Sequence, residues 1–188
     1  MNGSSLPRGM SFGHPVCLLS TWFGCGLLPW VPGTWGSLGA VPLAYVLHIY
    51  GGWPLMVGAA LALFMIGVWV AEVYARRSRE RDPGSIVIDE VAGQMLVLSV
   101  VPPDWGWYLS GFILFRIMDV LKPWPVSWME RRFAGGFGVM GDDIGAAFYA
   151  MILLYGMHCL LGYGTAMLDA SIIRADEHVR ALCRVAGT

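Results

Sequence analysis

The sequence predicts an all-α integral membrane protein, a helical bundle of about four to six segments followed by an amphipathic C-terminal helix. Hydrophobic residues make up 56% of its 188 residues and charged residues only 13%, about half the ~25% of an ordinary soluble domain. Several apolar runs are long enough to cross the ~30 Å hydrocarbon core of a bilayer. Helices are favoured there because backbone groups in lipid must be paired within their own segment. We expect one domain, residues 1–188, with an N-terminal tail at 1–15 and the amphipathic helix at 165–188.

The apolar runs set the order of the predicted segments. The clearest is Trp53–Tyr74, in which Glu72 is the only charged residue, and Ile144–Tyr163 contains none. The glycine-containing run Val16–Trp30 is predicted to be interfacial or re-entrant. The remaining predicted segments are Ser37–Tyr50, Ile86–Val101 and Trp105–Leu121. The tail predicts an amphipathic helix because four apolar residues recur at helical spacing: Leu168, Ile172, Val179 and Leu182.

Charge, cysteine and histidine usage exclude several classes of protein. Twelve Lys and Arg against thirteen Asp and Glu give a formal net charge of −1, so we expect no basic surface for nucleic acid. The composition also argues against disorder, a coiled coil and a collagen-like fibre. The four cysteines form no C-x-x-C pair and the four histidines form no cluster, which disfavours a zinc site and a histidine-based nucleophile.

The basic residues predict the orientation in the membrane. Four arginines follow Trp53–Tyr74, and Lys122, Arg131 and Arg132 follow Trp105–Leu121, whereas the turns at 51–52 and 102–104 contain no Lys or Arg. By the positive-inside rule both basic loops are cytoplasmic. If the last apolar run spans the membrane completely, the tail lies outside together with its arginines, so the side of the tail stays open.

On this topology, polar residues from four helices meet at the cytoplasmic level of the membrane. A charge at the centre of a membrane helix costs roughly 2.5–3.5 kcal/mol, so grouped charges near that level need partners, water or a metal ion. We therefore expect a polar cavity open to the cytoplasm. Its residues, helix by helix, are Gly33, Thr34 and Ser37; Asp89 and Glu90; Arg116, Asp119 and Lys122; and Asp142 and Asp143.

The acidic pairs differ in how well helix capping explains them. Asp142-Asp143 follows a glycine at the predicted start of a helix, where it either caps the helix or binds a ligand. Asp89-Glu90 lies inside the apolar run IVIDEVAG, where capping explains less. We expect one acid of this second pair to bind an ion and the other to orient it.

The basic residues and the first turn each allow two interpretations. Arg116, Asp119 and Lys122 are spaced i, i+3 and i+6, on one stripe of a helix. They form either an internal salt bridge with a snorkelling lysine or a cationic clamp for phosphate, with Asp119 holding the clamp or joining a metal site. The turn at residues 32–34 either presents backbone N–H groups to an anion or makes Thr34 a plain helix cap.

Together, the carboxylates and cations favour phosphoryl chemistry at the membrane surface. Hard oxygen ligands suit Mg²⁺, and a metal ion of this kind activates water as a nucleophile. The alternatives are a phosphotransfer reaction on another lipid or isoprenoid phosphate, a small ion carrier, and an accessory subunit without chemistry. A carrier is expected to place charges at the midplane and on both sides, whereas these crowd one end.

Four blocks of the sequence resemble the phosphatidylglycerophosphatase A family. The resemblance covers about Gly24 to Tyr155 in the expected order and includes the compound string Arg-x-x-Asp-x-x-Lys-Pro-x-Pro. The blocks are GCGLLPWVPGTWGSLGAVPLAYVL (Gly24–Leu47), DPGSIVIDEVAG (Asp82–Gly93), FRIMDVLKPWPVSWME (Phe115–Glu130) and GGFGVMGDDIGA (Gly135–Ala146).

The resemblance implies a Mg²⁺-dependent lipid phosphatase of the bacterial inner membrane. Its substrate is then phosphatidylglycerophosphate, which it hydrolyses to phosphatidylglycerol and inorganic phosphate in the last step of phosphatidylglycerol synthesis. The family's motif positions correspond here to Asp89, Glu90, Arg116, Asp119, Lys122, Asp142 and Asp143.

We assign roles to these positions as a hypothesis. The four carboxylates of the two acidic pairs hold Mg²⁺, and one of them takes a proton from the attacking water. Arg116 and Lys122 neutralise the phosphate, and Asp119 orients Arg116. The first-helix residues Gly33, Thr34 and Ser37 contact the substrate. The arginines of residues 75–81 are assigned to topology and to anionic lipids.

Overall fold

The computed structural model describes residues 6–7, 9–79, 83–133 and 135–186, with the backbone alone for residues 130, 131 and 163–186. These residues form six α-helices and no β-strand, which confirms the all-helical prediction. A short 3₁₀ helix, Cys25–Leu27, lies between the first two, and the fifth helix, Val126–Arg132, falls where the sequence predicts no helix. The helices are α1 (Pro15–Ser20), α2 (Pro32–Ser78), α3 (Ile88–Leu98), α4 (Trp105–Leu121), α5 (Val126–Arg132) and α6 (Gly135–Ala186).

The chain divides into two compact units, Met1–Leu154 and Tyr155–Thr188. The first unit contains α1 to α5, the start of α6 and every candidate site residue. The second unit is helical as far as Ala186. The amphipathic face predicted for the tail depends on side chains that the structure does not describe. Arg81 and Asp82 also lie outside the described residues.

Two helices are long and apolar enough to cross a membrane, α2 and the part of α6 from Gly135 to Gly162. Within the first unit the outward faces of α2, α4 and α6 carry large exposed apolar side chains. Large apolar side chains exposed in such numbers pack more stably against lipid or another apolar partner than against water. Examples are Leu61, Met65 and Trp69 on α2, Ile113 and Ile117 on α4, and Ile152 on α6.

α2 reverses direction at Gly52, which has φ 63° and ψ −163°. Glycine adopts this conformation readily, whereas other residues avoid it. The first limb (residues 32–51) and the second limb (residues 53–78) both reach Tyr108 of α4. Its hydroxyl oxygen lies 3.0 Å from Nδ1 of His48 and 3.9 Å from Sδ of Met56. α2 is therefore a helical hairpin, and the turn predicted at residues 51–52 is confirmed.

Both limbs of α2 pass beside the start of α3. A Cβ added to Gly36 of the first limb would lie 2.6 Å from Cβ of Val87. A Cβ added to Gly67 of the second limb would lie 3.5 Å from Cγ2 of Ile88. Because small residues let the helix backbones approach closely, the hairpin brings Gly36 and Gly67 to one level of the bundle.

α4 has well-defined signals at both ends. At its start the Asp104 carboxylate accepts hydrogen bonds of 2.9 and 3.3 Å from two backbone N–H groups of the first turn, those of Gly106 and Trp107, as a helix N-cap does. The helix ends at Leu121 because the next residue, Lys122, precedes a proline and is disfavoured in the helical region. Lys122 adopts a left-handed conformation instead, with φ 41°.

α6 begins at Gly135, so Asp142 and Asp143 lie about two turns inside the helix, and the prediction that they stand at its start is wrong. The glycine-rich stretch before them is helical because it packs closely on α2: a Cβ on Gly136 would overlap the α2 backbone. Glu72 of α2 accepts a 2.7 Å hydrogen bond from the backbone N–H of Gly136. A carboxylate from a neighbouring helix thus satisfies one of the N–H groups that a helix start leaves unpaired.

α1 and the residues before it pack into a core cluster with α2, α3 and α6. The run Val16–Trp30 therefore contributes buried residues to the bundle, and its predicted position at a membrane interface stays a prediction. The buried members of the cluster are Met10, Val16, Cys17, Val70, Ala71, Tyr74, Ile86, Ile88, Ala92, Val139 and Met140.

We expect Glu72→Ala to lower the free energy of unfolding by about 1–3 kcal/mol, because the N–H of Gly136 loses a charged acceptor. Thermal unfolding in detergent micelles measures the change. Arg76→Ala is the matched control: it removes the 2.6 Å ion pair between Arg76 and Glu72 and leaves the cap in place. Since the Arg76 side chain is 78% exposed, this control should cost about 0.5 kcal/mol or less. Equal losses in the two variants would contradict the capping role.

Candidate active site

Three carboxylates from two helices form the centre of the candidate site. Asp89 and Glu90 lie in the first turn of α3, and Asp143 lies on α6. One oxygen from each lies within 4.8 Å of the oxygens from the other two. Asp89 and Asp143 are buried, and the Glu90 side chain is only 14% exposed. The fold therefore brings together acids that are more than fifty residues apart in the chain.

The electrostatics of this cluster fit a bound cation. Three ionised carboxylates at this separation repel one another strongly in a buried site, so charge must be removed by protons or balanced by a positive ion. Oε2 of Glu90 and Oδ2 of Asp143 are buried and have no hydrogen-bond partner among the described residues. Carboxylate oxygens are the ligands that Mg²⁺ prefers. The donor set thus fits the metal that the sequence predicts.

A guanidinium lies directly beside the carboxylates. Nη1 of Arg116 is 2.7 Å from Oδ2 of Asp119, one turn further along α4, and 3.9 Å from Oε1 of Glu90. The Arg116 and Asp119 side chains are 16% and 13% exposed. Asp119 therefore fixes the position of the guanidinium through a short, partly buried ion pair. The i, i+3 pairing anticipated from the sequence is present, next to the carboxylate cluster.

The second cation, Lys122, pairs with the other acid of the α6 pair. Its Nζ lies 2.6 Å from Oδ2 of Asp142, whose side chain is 8% exposed. Oδ1 of Asp142 accepts a 3.1 Å hydrogen bond from the backbone N–H of Asp143. Asp142 is not a member of the three-carboxylate cluster. Its assignment as a metal ligand stays a prediction from the sequence.

The first turn of α2 closes the site from another side. A Cβ on Gly33 would overlap Oε1 of Glu90 and lie 3.1 Å from Nη1 of Arg116. Only glycine therefore lets this turn approach the cluster so closely. The Ser37 hydroxyl is buried and donates a 3.0 Å hydrogen bond to the carbonyl oxygen of Gly33.

The helix start differs from the prediction for Thr34. α2 begins at Pro32 with Val31 as its N-cap, and the Thr34 backbone N–H donates a 3.0 Å bond to the carbonyl oxygen of Val31. The interpretation of Thr34 as a plain helix cap is therefore wrong. Proline at the first helical position is favoured because its missing N–H would be unpaired there anyway.

The buried cysteine Cys17 is chemically quiet. It is fully buried in the core cluster, and its sulfur lies 3.7 Å from Sδ of Met10. Burial raises the pKa of the Cys17 thiol, which suppresses the thiolate form that attacks phosphorus.

Sequence reasoning missed two polar residues of this end of the bundle. Glu72, which holds the start of α6, was noted only as the single charge in an apolar run. Gln94 on α3 received no role, although it is a fully buried amide in an otherwise apolar stretch. The signal in both cases is the same: a polar side chain surrounded in sequence by apolar residues, which needs a partner from elsewhere in the fold.

Comparison with known proteins places the chain in a family. The sequence profile of the family described as Phosphatidylglycerophosphatase A matches residues 18–158. A protein named Phosphatidylglycerophosphatase A from Escherichia coli (strain K12) is 40% identical over 156 residues, which cover 81% of this chain and 90% of the relative. One of the same name from Haemophilus influenzae is 36% identical, covering 80% of this chain and 93% of the relative.

A third relative, from Bacteroides thetaiotaomicron, is provisionally named a phosphatidylinositol-3-phosphatase. It is 36% identical over 77% of this chain and 94% of its own length. No solved structure matches the chain. The family profile covers the whole candidate site, from the first turn of α2 to Asp143, and the two relatives of the same name are similar over most of their length. The chain therefore belongs to the phosphatidylglycerophosphatase A family.

Proposed function

We propose that this protein is a Mg²⁺-dependent phosphatase that hydrolyses phosphatidylglycerophosphate to phosphatidylglycerol and inorganic phosphate, the last step of phosphatidylglycerol synthesis. Membership of the family supports the phosphatase activity and a phospholipid substrate. The observation that carries the proposal is the cluster of Asp89, Glu90 and Asp143 beside the Arg116–Asp119 pair. Acids and a fixed guanidinium at one place suit a reaction in which a phosphate must be bound while a proton is removed from water.

The carboxylates divide between two tasks in this proposal. Asp89, Glu90 and Asp143 would hold Mg²⁺, with Asp142 nearby on α6. A bound Mg²⁺ would supply Lewis-acid polarisation of the phosphate. One carboxylate accepts a proton from the attacking water, whose oxygen forms a bond to the terminal phosphorus. The bond between that phosphorus and the headgroup glycerol oxygen breaks, and the glycerol oxygen takes up a proton to give the product hydroxyl.

The cations and the first turn of α2 bind the phosphate. Arg116 presents a planar fork of N–H donors to two phosphate oxygens, and Asp119 keeps that fork in place. Lys122 adds a second positive charge from the end of α4. Gly33 and Thr34 bring the N-terminal end of a helix, with its partial positive charge, close to the same anion. Ser37 holds this turn through its bond to Gly33.

The same arrangement supports a location in the bacterial inner membrane with the site facing the cytoplasm. The first limb of α2, at 1.5 Å per residue, is about 30 Å long, the thickness of the hydrocarbon core. Exposed aromatic side chains mark both of its ends: Trp30 near the site and Tyr50 at the hairpin turn, 83% and 84% exposed. Trp and Tyr favour membrane interfaces. Arg76 and Arg77 lie in the last turn of α2, at the site end, which the positive-inside rule places in the cytoplasm.

A second candidate is a phosphatase for a different lipid phosphate, and the provisionally named phosphatidylinositol-3-phosphatase relative favours it. Both candidates use the same carboxylates and cations and differ only in the headgroup. A panel of phosphatidylglycerophosphate, phosphatidic acid and phosphatidylinositol 3-phosphate in mixed micelles separates them. We expect the highest kcat/KM on phosphatidylglycerophosphate; a higher value on either other lipid would replace the proposed substrate.

Removal of the metal, or of one ligand, should abolish turnover. We expect purified protein to release phosphate from phosphatidylglycerophosphate with Mg²⁺ and not with EDTA, and Asp143→Asn to lose at least about a hundredfold in kcat, or about 2.7 kcal/mol. Asp104→Asn is the matched control, because it makes the same chemical change at the far end of the bundle, where Asn caps a helix as well as Asp.

Thermal unfolding gives a readout that is independent of activity. Mg²⁺ should raise the unfolding midpoint of the wild-type protein by binding the folded state, and it should raise that of Asp143→Asn much less. In EDTA the unfolding midpoint of the variant should be no lower than that of the wild type, because the variant has lost one of the carboxylates that repel one another. Full turnover by Asp143→Asn, or an equal response of both proteins to Mg²⁺, would refute the metal assignment.

Arg116→Lys and Asp119→Asn test the phosphate clamp. Lysine keeps the positive charge but lacks the planar fork, and asparagine leaves the guanidinium without its charged anchor. We expect each variant to lose about ten- to a hundredfold in kcat/KM, as measured by phosphate release. Combining the two changes should cost less than the product of the single effects, because both act on one group. Strictly multiplicative losses would contradict the role of Asp119 as the residue that positions Arg116.

A further inference from the structure

Gln94 of α3 is a buried amide without a partner in the described part of the chain. Its side chain is fully buried, and neither Nε2 nor Oε1 has a hydrogen-bond partner there. Leaving such a group unpaired costs about 1–3 kcal/mol, and buried polar atoms in proteins are paired in the great majority of cases. The amide therefore needs a hydrogen-bonding partner that is not among the described residues, such as a bound ligand.

The register of α3 places this amide next to the candidate site. Gln94 follows Glu90 by four residues, so the two share one face of the helix and lie about 6 Å apart along its axis. Val87, three residues before Glu90, also lies towards this face. Val87 packs on Gly36 of α2, and Glu90 packs on Gly33 of the same helix. Gln94 therefore extends a row of residues that faces the first limb of α2, one turn deeper in the bundle than the carboxylates.

The direction of that row matches the layout of a lipid substrate. With the terminal phosphate at the carboxylates, the acyl chains lie in the bilayer, and the segment that joins them must run towards the membrane interior. In phosphatidylglycerophosphate this segment is a glycerol with one free hydroxyl and a phosphodiester. The hydroxyl is a hydrogen-bond donor and the phosphodiester oxygens are acceptors, which complements the acceptor and donor ends of an amide.

We propose that Gln94 is a specificity-determining residue: its Oε1 accepts a hydrogen bond from the headgroup glycerol hydroxyl, and its Nε2 donates to a phosphodiester oxygen. The inference rests on the proposed function. Neutral Gln suits both contacts, whereas a carboxylate at this position would repel the phosphodiester. Sites built to bond a hydroxyl discriminate against analogues that lack it, because their own polar groups are then left unpaired.

Steady-state kinetics with two lipids tests the role of Gln94. The substrates are phosphatidylglycerophosphate and its analogue with a propane-1,3-diol headgroup, which lacks only the hydroxyl. We expect the wild-type protein to prefer the natural headgroup by about tenfold in kcat/KM, the effect of one neutral hydrogen bond. In Gln94→Met, which keeps the volume but not the amide, the ratio of the two kcat/KM values should fall to about one. Losing the phosphodiester contact lowers both rates together and leaves that ratio unaffected.

Two controls distinguish a substrate contact from a structural role. Met95→Leu changes the next residue of α3, also fully buried, and should keep the wild-type ratio. Removal of an unpaired amide should leave the thermal unfolding midpoint of Gln94→Met unchanged or raised. A lowered midpoint together with an unchanged substrate ratio would overturn the inference and make Gln94 a packing residue. Failure of the wild-type protein to release phosphate from phosphatidylglycerophosphate would refute the proposed function itself and the inference with it.

Discussion

The mutual repulsion of Asp89, Glu90 and Asp143 is the constraint on which the arrangement of this bundle depends. Carboxylates this close in a buried site separate unless packing holds them together and positive charge balances them. In this chain two basic side chains help to balance the negative charge and to hold the helices together. Arg116 lies beside Glu90 and is itself fixed by Asp119. Lys122 pairs with Asp142 and thereby anchors the end of α4 to α6.

Glycines make the close approach of the helices possible. Gly33 admits Glu90 and Arg116 beside the first turn of α2, and Gly93 lies against Phe115 and the backbone of Asp143. Gly136 sits on the backbone of α2. A side chain at any of these positions would push a helix that carries a site residue outwards. In a chain whose interior is mostly apolar, the position of each charged group is thus set by where neighbouring backbones touch.

Much of the site was predictable because polar residues in an apolar sequence stand out. Asp89, Glu90, Arg116 and Asp119 were each singled out by composition and spacing, and the helical class followed from the apolar runs. The start of α6 was not predictable in this way. Its glycine-rich stretch has the local signature of a loop, and the contacts that make it helical come from α2, with Glu72 and Gly136 sixty-four positions apart. Nothing in a local window reports an interaction of that range.

The short length of α3 has a mechanical consequence. Its 11 residues extend only about 16 Å, half the thickness of the hydrocarbon core, so the helix is too short to cross that core by itself. Val97, Leu98 and Ser99 are buried at its end, and the Ser99 hydroxyl donates a 2.7 Å hydrogen bond to the carbonyl oxygen of Leu96. Such a helix end is tolerated in an apolar environment only while protein surrounds it. α3 therefore depends on its longer neighbours for cover, and the exposed apolar side chains lie on those neighbours, α2, α4 and α6.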